Sequence, residues 1–491
     1  MGEVTEITVT PLSIQYLQEL IEPEDWERLE LGLGVARELL SGRRLWNVNS
    51  TAAGGGVAEM LRSWVGLARG LDVDMRWVTI PGDPAFFTLT KRLHNFLHGD
   101  PGDRGPLGVE ERRVYEEASR ANADAVLAML APGDVVFLHD PQTAGLAPRI
   151  SAKGHPVVWR CHVGTDEGNE YTEMAWEFLC DSVQAADAAV FSRREYVPEV
   201  CGEMLTVIVP PSIDAMSPKN QELSPEMVRE VLGYVGLIAD GGTSGPGPEY
   251  TLADGTIGII QRRCEVLSGG PLPTPETPLV TQVSRWDRLK DPVGVMRGFA
   301  EAGEADAHLV LAGPSLGSVA DDPEGLAVYA EVEAEWRRLP DSIRARVHLA
   351  RLPMDDLEEN AIIVNALQRH STVVVQKSLR EGFGLTVTEA MWKARPVVAS
   401  ATGGIRDQIV NGINGLLLHD PHDVLAFASA VLELLHSPAR AREIGDAARE
   451  TVRKQFLENR HTLQYVDLLG RLLHPGAAAG YAHEKATGED A

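Results

Sequence analysis

Four cysteines in 491 residues, Cys161, Cys180, Cys201 and Cys264, with no CxxC pair and no secretory spacing, exclude a disulfide framework. Reduced thiols in a cytoplasmic protein are the expectation. No apolar run approaches the ~20 residues of a membrane-spanning helix. The first residues, MGEVTEITVTPLSIQYLQEL, lack the basic segment and apolar core of a secretory signal. Positive charge is also scarce. Only 45 Lys and Arg stand against 71 Asp and Glu, a net charge of −26, which disfavours nucleic acid and anionic membranes as partners. No His/Asp cluster with ligand spacing occurs, so a metal site is not indicated. Mg2+ is neither called for nor excluded. Gly54, Gly55 and Gly56 lack the GxGxxG spacing of a dinucleotide site. A two-fold dimer is only the base-rate expectation for such a chain.

What remains is ordinary for a large globular protein: 44% hydrophobic and 24% charged residues, with length for two or three domains. Residues 1–44 read as a helical, acidic extension packed on a first domain. From residue 45 to 275 short β-branched or apolar runs alternate with helical spacers: Leu45 to Ser50, Met75 to Ile80, Val135 to Leu138, Val157 to Cys161, Ala188 to Phe191 and Thr206 to Val209. That alternation predicts an open, mostly parallel α/β sheet. The Gly- and Pro-rich texture of residues 220–278 reads as a long connection with a helical insert. A second α/β series fills residues 276–456, a helix at 457–475 has the length to cross back onto the first domain, and the tail from 476 to 491 reads as disordered. No internal repeat is present.

The second series is organised around TVVVQKSLREGFGLTVTEAMWKARPVVAS, Thr372 to Ser400. Two buried strands bracket Glu381-Gly382-Phe383-Gly384, which opens into a helix near Leu385 and Thr386. A glycine loop and the free N–H groups of a helix N-terminus aimed at one spot make a diphosphate site. Glu381 before the glycines and Glu389 on the helix flank that spot, so their carboxylates reach groups on either side of the phosphates. A sugar nucleotide has hydroxyls at both places. Arg285, Arg288 and Lys290, just after the first strand of this series, form the local base cluster an anionic ligand needs in so acidic a chain. Gly54, Gly55 and Gly56 sit between a strand and the amphipathic helix Val57 to Leu71, where backbone without Cβ atoms can approach a phosphate. His139 and Asp140 end another strand, at the side where open α/β sheets bind ligands.

With those residues assembled, the chain resembles the retaining GT-B glycosyltransferases of the sucrose-synthase-like family, and within it the trehalose glycosyltransferring synthases. The likeness runs over roughly residues 40–475 and is carried by WNVNSTAAGGGVAEML, FLHDPQTAGL, WRCHVGTD, VPPSIDAMSPKN, QVSRWDRLKDP and the acids eight positions apart around GFGLTVT. It implies an α/β GT-B fold: two Rossmann-like domains facing a central cleft, with a C-terminal helix returning to the first. The implied reaction joins glucose from a nucleoside diphosphate glucose to free glucose. Implied roles follow. Glu381 contacts the transferred sugar, Glu389 the ribose, and Arg285 and Lys290 the diphosphate. Gly55, Gly56, Gly382, Phe383, Gly384, Leu385 and Thr386 line the donor site. His162 lies beside the donor sugar, and His139, Asp140 and Arg160 face the acceptor. Arg288 reads as a solvated neighbour, the role of Lys377 stays open, and Gly403, Gly404 and Asp407 read as a turn and a helix cap. A retaining trehalose phosphorylase, a transferase to another small acceptor and a non-catalytic sugar-nucleotide-binding protein remain as alternatives.

Overall fold

A computed structural model describes residues 2–52, 56–239, 245–252, 255–303, 306–316 and 325–474. The chain divides into two compact units, residues 1–212 together with 456–491, and residues 213–455.

In the first unit, β1 (Thr5–Glu6) lies antiparallel beside β3 (Met75–Thr79). The other strands run parallel: β2 (Leu45–Asn49), β4 (Val135–His139), β5 (Val157–Cys161), β6 (Ala188–Phe191) and β7 (Leu205–Ile208). Their order is β1-β3-β2-β4-β5-β6-β7. Near-continuous apolar runs suit strands covered on both faces. Alternation then divides each strand between two cores. Trp46, Val48, Leu138 and Trp159 enter one core, and Leu45, Phe137 and Val158 enter the other. The second core is closed by helix Gly56–Gly70 and helix Glu458–Leu473, whose Trp64 and Tyr465 rings stack at 4.3 Å. The same alternation puts Asn47, His139 and Arg160 on this second face.

In the second unit a hairpin, β8 (Glu249–Thr251) with β9 (Ile257–Ile259), precedes a seven-stranded sheet. That sheet contains β10 (Glu265–Ser268), β11 (Leu279–Val283), β12 (His308–Pro314), β13 (Val347–Leu352), β14 (Val373–Gln376), β15 (Val397–Ser400) and β16 (Leu416–Leu418). The order is β10-β13-β12-β11-β14-β15-β16, parallel except for β10. The parallel strands follow the doubly wound pattern 3-2-1-4-5-6. Their switch point lies between β11 and β14, where such sheets bind ligands.

One boundary differs from the sequence expectation. Residues 213–275 read as a tail of the first domain, yet they belong to the second unit. Helix Pro225–Val235 buries Val228, Val231, Leu232 and Val235 in one core with Ile362, Ile363 and Ala366, and β10 pairs with β13. Gly and Pro mark a segment as irregular but carry no record of which core its few apolar residues enter. The expected disordered tail at 476–491 lies outside the described residues.

Candidate active site

The switch point of the second unit brings together two loops. One follows β11 and carries Arg285 to Lys290; the other follows β14 and carries Lys377 to Gly384. They are tied by Leu379 N–H donating to the Leu289 carbonyl at 2.7 Å. Across this tie Lys290 Nζ donates to both oxygens of Glu381, at 2.8 and 2.7 Å. Ser378 Oγ donates to Glu381 Oε2 at 3.1 Å and accepts from Gln376 Nε2 at 3.0 Å. The Gln282 amide holds the Lys290 carbonyl at 2.7 Å. Lysine and glutamate, far apart in sequence, are thus locked into one geometry. Lys377 is fully buried and ion-paired with Asp291, whose other oxygen caps helix Pro292–Ala302 through Gly294 N–H at 2.9 Å. Arg285 lies 3.4 Å from Asp287 and is partly exposed. Arg288 turns instead to Glu331 on helix Gly325–Arg338.

Gly384 precedes helix Leu385–Trp392 with φ +89°, and a Cβ there would stand 3.0 Å from Ile405 and 3.3 Å from Glu381. The turn at Gly403 and Gly404 braces the loop: Gly404 N–H donates to the Gly382 carbonyl, and a Cβ on Gly404 would strike Phe383 at 2.6 Å. Gln408 Nε2 holds the Phe383 carbonyl at 2.6 Å. Gly384→Ala is therefore expected to lower unfolding stability by about 1–2 kcal/mol, the cost of a left-handed non-glycine residue, measured by denaturant unfolding. An unchanged midpoint would contradict this account of the loop.

Glu389 sits one turn into the helix, 3% exposed, with Lys219 Nζ 3.7 Å from Oε1. Lys393 Nζ donates to the Glu389 carbonyl at 3.0 Å and to Asn220 Oδ1 at 3.1 Å. Burial pushes Lys393 below the usual lysine range, against the pull of the Glu389 charge. Segment 214–221 is stapled here by Trp392 Nε1 on the Asn220 carbonyl and Asn365 Nδ2 on the carbonyls of Pro218 and Gln221.

In the first unit the corresponding strand ends carry histidines. His139 Nδ1 lies 3.1 Å from His162 Nε2, and its Nε2 lies 3.0 Å from Asn47 Oδ1. Asp140, at φ +64°, accepts from the His162 backbone N–H at 2.7 Å. Burial raises the Asp140 carboxyl to about 7, opposed by that N–H and by Arg160. Arg160 is wholly buried, its guanidinium on the Phe191 carbonyl at 3.4 Å and the Ser192 hydroxyl at 3.3 Å. Gly56 opens its helix, whereas Gly54 and Gly55 lie outside the described residues. The four cysteines are unbridged. Burial raises the thiols of Cys161, Cys201 and Cys264.

Residues 47–198 match the family described as "Trehalose synthase, N-terminal domain", and residues 271–451 match "Glycosyl transferases group 1". The chain is 34% identical to the trehalose synthase of Pyrococcus horikoshii over 96% of this chain and 99% of that protein. It is 35% identical to that of Thermococcus litoralis over the same shares. The chain belongs to the trehalose synthase family. Among solved structures, a UDP-forming α,α-trehalose-phosphate synthase of Burkholderia xenovorans superimposes with a TM-score of 0.64 at 17% identity, over 89% of this chain and all of that one. The fold is GT-B, and this member of the trehalose synthase family is a glycosyltransferase.

Sequence reasoning missed several polar partners in this trehalose synthase relative. Asn47 was legible in principle, as an amide inside the buried run LWNVN. Gln376 and Ser378 adjoin the motif and were passed over. Lys219 and Lys393 join Glu389 only through the tertiary fold. Among the described residues no group of three or more His, Cys, Asp or Glu side chains is placed to hold a metal, and no helix is long and apolar enough to cross a membrane.

Proposed function

We propose that the protein transfers glucose from a nucleoside diphosphate glucose to free glucose, reversibly and with retention, giving α,α-trehalose. The observation that carries this reading is end-to-end similarity to trehalose synthases, 34–35% identity over 96% of the chain. The geometry at the second unit's switch point agrees with it. Lys290 and Arg285 neutralise the diphosphate and the charge that grows on it as the glycosidic bond breaks, which is electrostatic stabilisation of a developing anion. Positive charge from these side chains and from the helix N-terminus does the work a bound cation would otherwise do. Glu381 accepts bonds from hydroxyls of the transferred glucose and Glu389 from the ribose diol, each a charge-assisted contact. The leaving phosphate takes the acceptor's proton. In the first unit His162 contacts a sugar hydroxyl, and Asp140 and His139 serve the acceptor.

The test is product analysis with glucose and ADP-, UDP- or GDP-glucose, with and without chelator. A non-reducing disaccharide with free nucleoside diphosphate is the expected result. Glucose 1-phosphate formed from trehalose and phosphate, with no nucleotide-dependent product, would make the protein a phosphorylase instead.

A pH dependence follows from Asp140. Its carboxyl, raised to about 7 by burial, is neutral below that pH and a carboxylate above it. Only the carboxylate accepts from sugar hydroxyls through both oxygens. The KM for the acceptor is expected to fall as pH rises through about 7, and Asp140→Asn to flatten that profile. A wild-type acceptor KM that rises over this range would refute the assignment.

A further inference from the structure

The histidine pair of the first unit contains a chain of polarity that starts well away from any exposed surface. A neutral imidazole has one N–H and one lone pair, so fixing one bond fixes the next. Asn47 is buried in β2, and its Nδ2 donates to the Arg76 carbonyl at 3.4 Å. That orientation turns Oδ1 toward His139 Nε2, 3.0 Å away. The reversed amide would set two oxygens against each other at Arg76. His139 Nε2 therefore carries the hydrogen. His139 is itself buried, and burial holds it neutral, its imidazolium pushed down to about 3. Its Nδ1 is then a bare lone pair, 3.1 Å from His162 Nε2. Only a hydrogen on His162 Nε2 satisfies that contact. The two rings lie nearly parallel, 16° apart with centroids at 5.4 Å, and the His162 backbone is pinned by Asp140 at 2.7 Å. Among the described residues nothing engages the remaining nitrogen, Nδ1, of this half-buried side chain.

We propose that Asn47 and His139 are positioning residues that hold His162 as its Nε2–H tautomer, leaving Nδ1 as an obligate acceptor for a sugar hydroxyl. The sugar contact rests on the proposed function; the tautomer does not. The consequence is selectivity by polarity. A hydroxyl can donate to this position, whereas a group that only accepts, such as a carbonyl or ether oxygen, meets a lone pair and is rejected.

The test is nitrogen-15 NMR of the ligand-free, histidine-labelled full chain, correlating ring nitrogens with carbon-bound ring protons. Both His139 and His162 are expected to show a protonated Nε2 and a bare Nδ1. A protonated Nδ1 on His162, or an imidazolium at neutral pH, overturns the proposal. Asn47→Leu removes the first acceptor, freeing His139 to donate from Nδ1 and forcing His162 to carry its hydrogen on Nδ1. That variant is expected to invert the His162 pattern and to lower kcat/KM for transfer roughly tenfold, the worth of one lost hydrogen bond at a site of reversed polarity. Its affinity for the free nucleoside diphosphate is expected to stay the same. Should Asn47→Leu fail to fold, the wild-type spectrum alone decides the tautomer. An Nε2–H spectrum in a protein that transfers no sugar overturns the sugar contact together with the proposed function. An Nδ1–H spectrum in an active transferase overturns the relay and leaves the proposed function standing.

Discussion

Lys290→Ala is expected to lower kcat for glucose transfer by roughly 10²–10³-fold, the usual cost of removing one preorganised group that stabilises a developing anion. The Lys290 side chain is 17% exposed and that of its partner Glu381 10% exposed, so both charges are partly buried and screened less than surface charges. Glu381 orients the lysine before any ligand arrives, through bonds to both carboxylate oxygens. On the proposed function the negative charge on the diphosphate increases as the glycosidic bond breaks, so the lysine is expected to interact more strongly with the transition state than with bound donor. Loss of such a group falls on kcat more than on KM. Lys290→Arg keeps the charge but replaces a compact ammonium with a planar fork, and an intermediate loss is expected. Because Lys290 and Glu381 touch, the double variant Lys290→Ala/Glu381→Ala is expected to cost much less than the product of the single losses. Steady-state kinetics of the four proteins make the check. A kcat within about twofold of wild type for Lys290→Ala would remove this residue from the chemistry.

Much of this architecture can be read from the sequence because parallel strands buried on both faces leave a plain trace. LWNVN, VVFLH, VVWRC and VVVQ stand out as apolar runs separated by helical spacers, and each is a strand. The glycine loop was equally visible, since Gly384 occupies a backbone region that few other residues adopt. What the sequence hides is which face, and which core, a residue joins. Arg160 reads as a strand-end base near an acceptor; alternation from Val158 places it, wholly buried, on the second core's face, against a carbonyl and a hydroxyl and close enough to the Asp140 carboxyl to lower it. Lys219 looks like one more lysine in a Ser-Pro loop. Only the packing of segment 214–221 onto the helix of Glu389 gives it a partner. Pairings of this kind depend on long-range closure, and no local pattern encodes them.

The surroundings of Glu389 lead to the second large effect. Glu389→Gln is expected to weaken nucleoside diphosphate binding roughly 10–100-fold, the range of one to two charge-assisted bonds from vicinal hydroxyls. Glutamine keeps the size and one acceptor oxygen, so helix Leu385–Trp392 should persist. It removes the charge that faces Lys219 and pulls the Lys393 proton back on. Lys393 in the variant is therefore expected to lose its proton at lower pH than in the wild type, because burial then acts with less opposition. The decisive comparison uses a ligand without ribose. On the proposed function inorganic pyrophosphate offers the same phosphates to Arg285, Lys290 and the helix N-terminus but no diol, so its affinity is expected to be equal in wild type and Glu389→Gln. Calorimetric titration of both ligands into both proteins separates the two readings of this acid. If pyrophosphate weakens as much as the nucleotide, Glu389 holds up the fold of the loop and not the ribose. If neither weakens, the ribose is bound elsewhere, and the Lys219 and Lys393 cluster is a packing feature of the second unit.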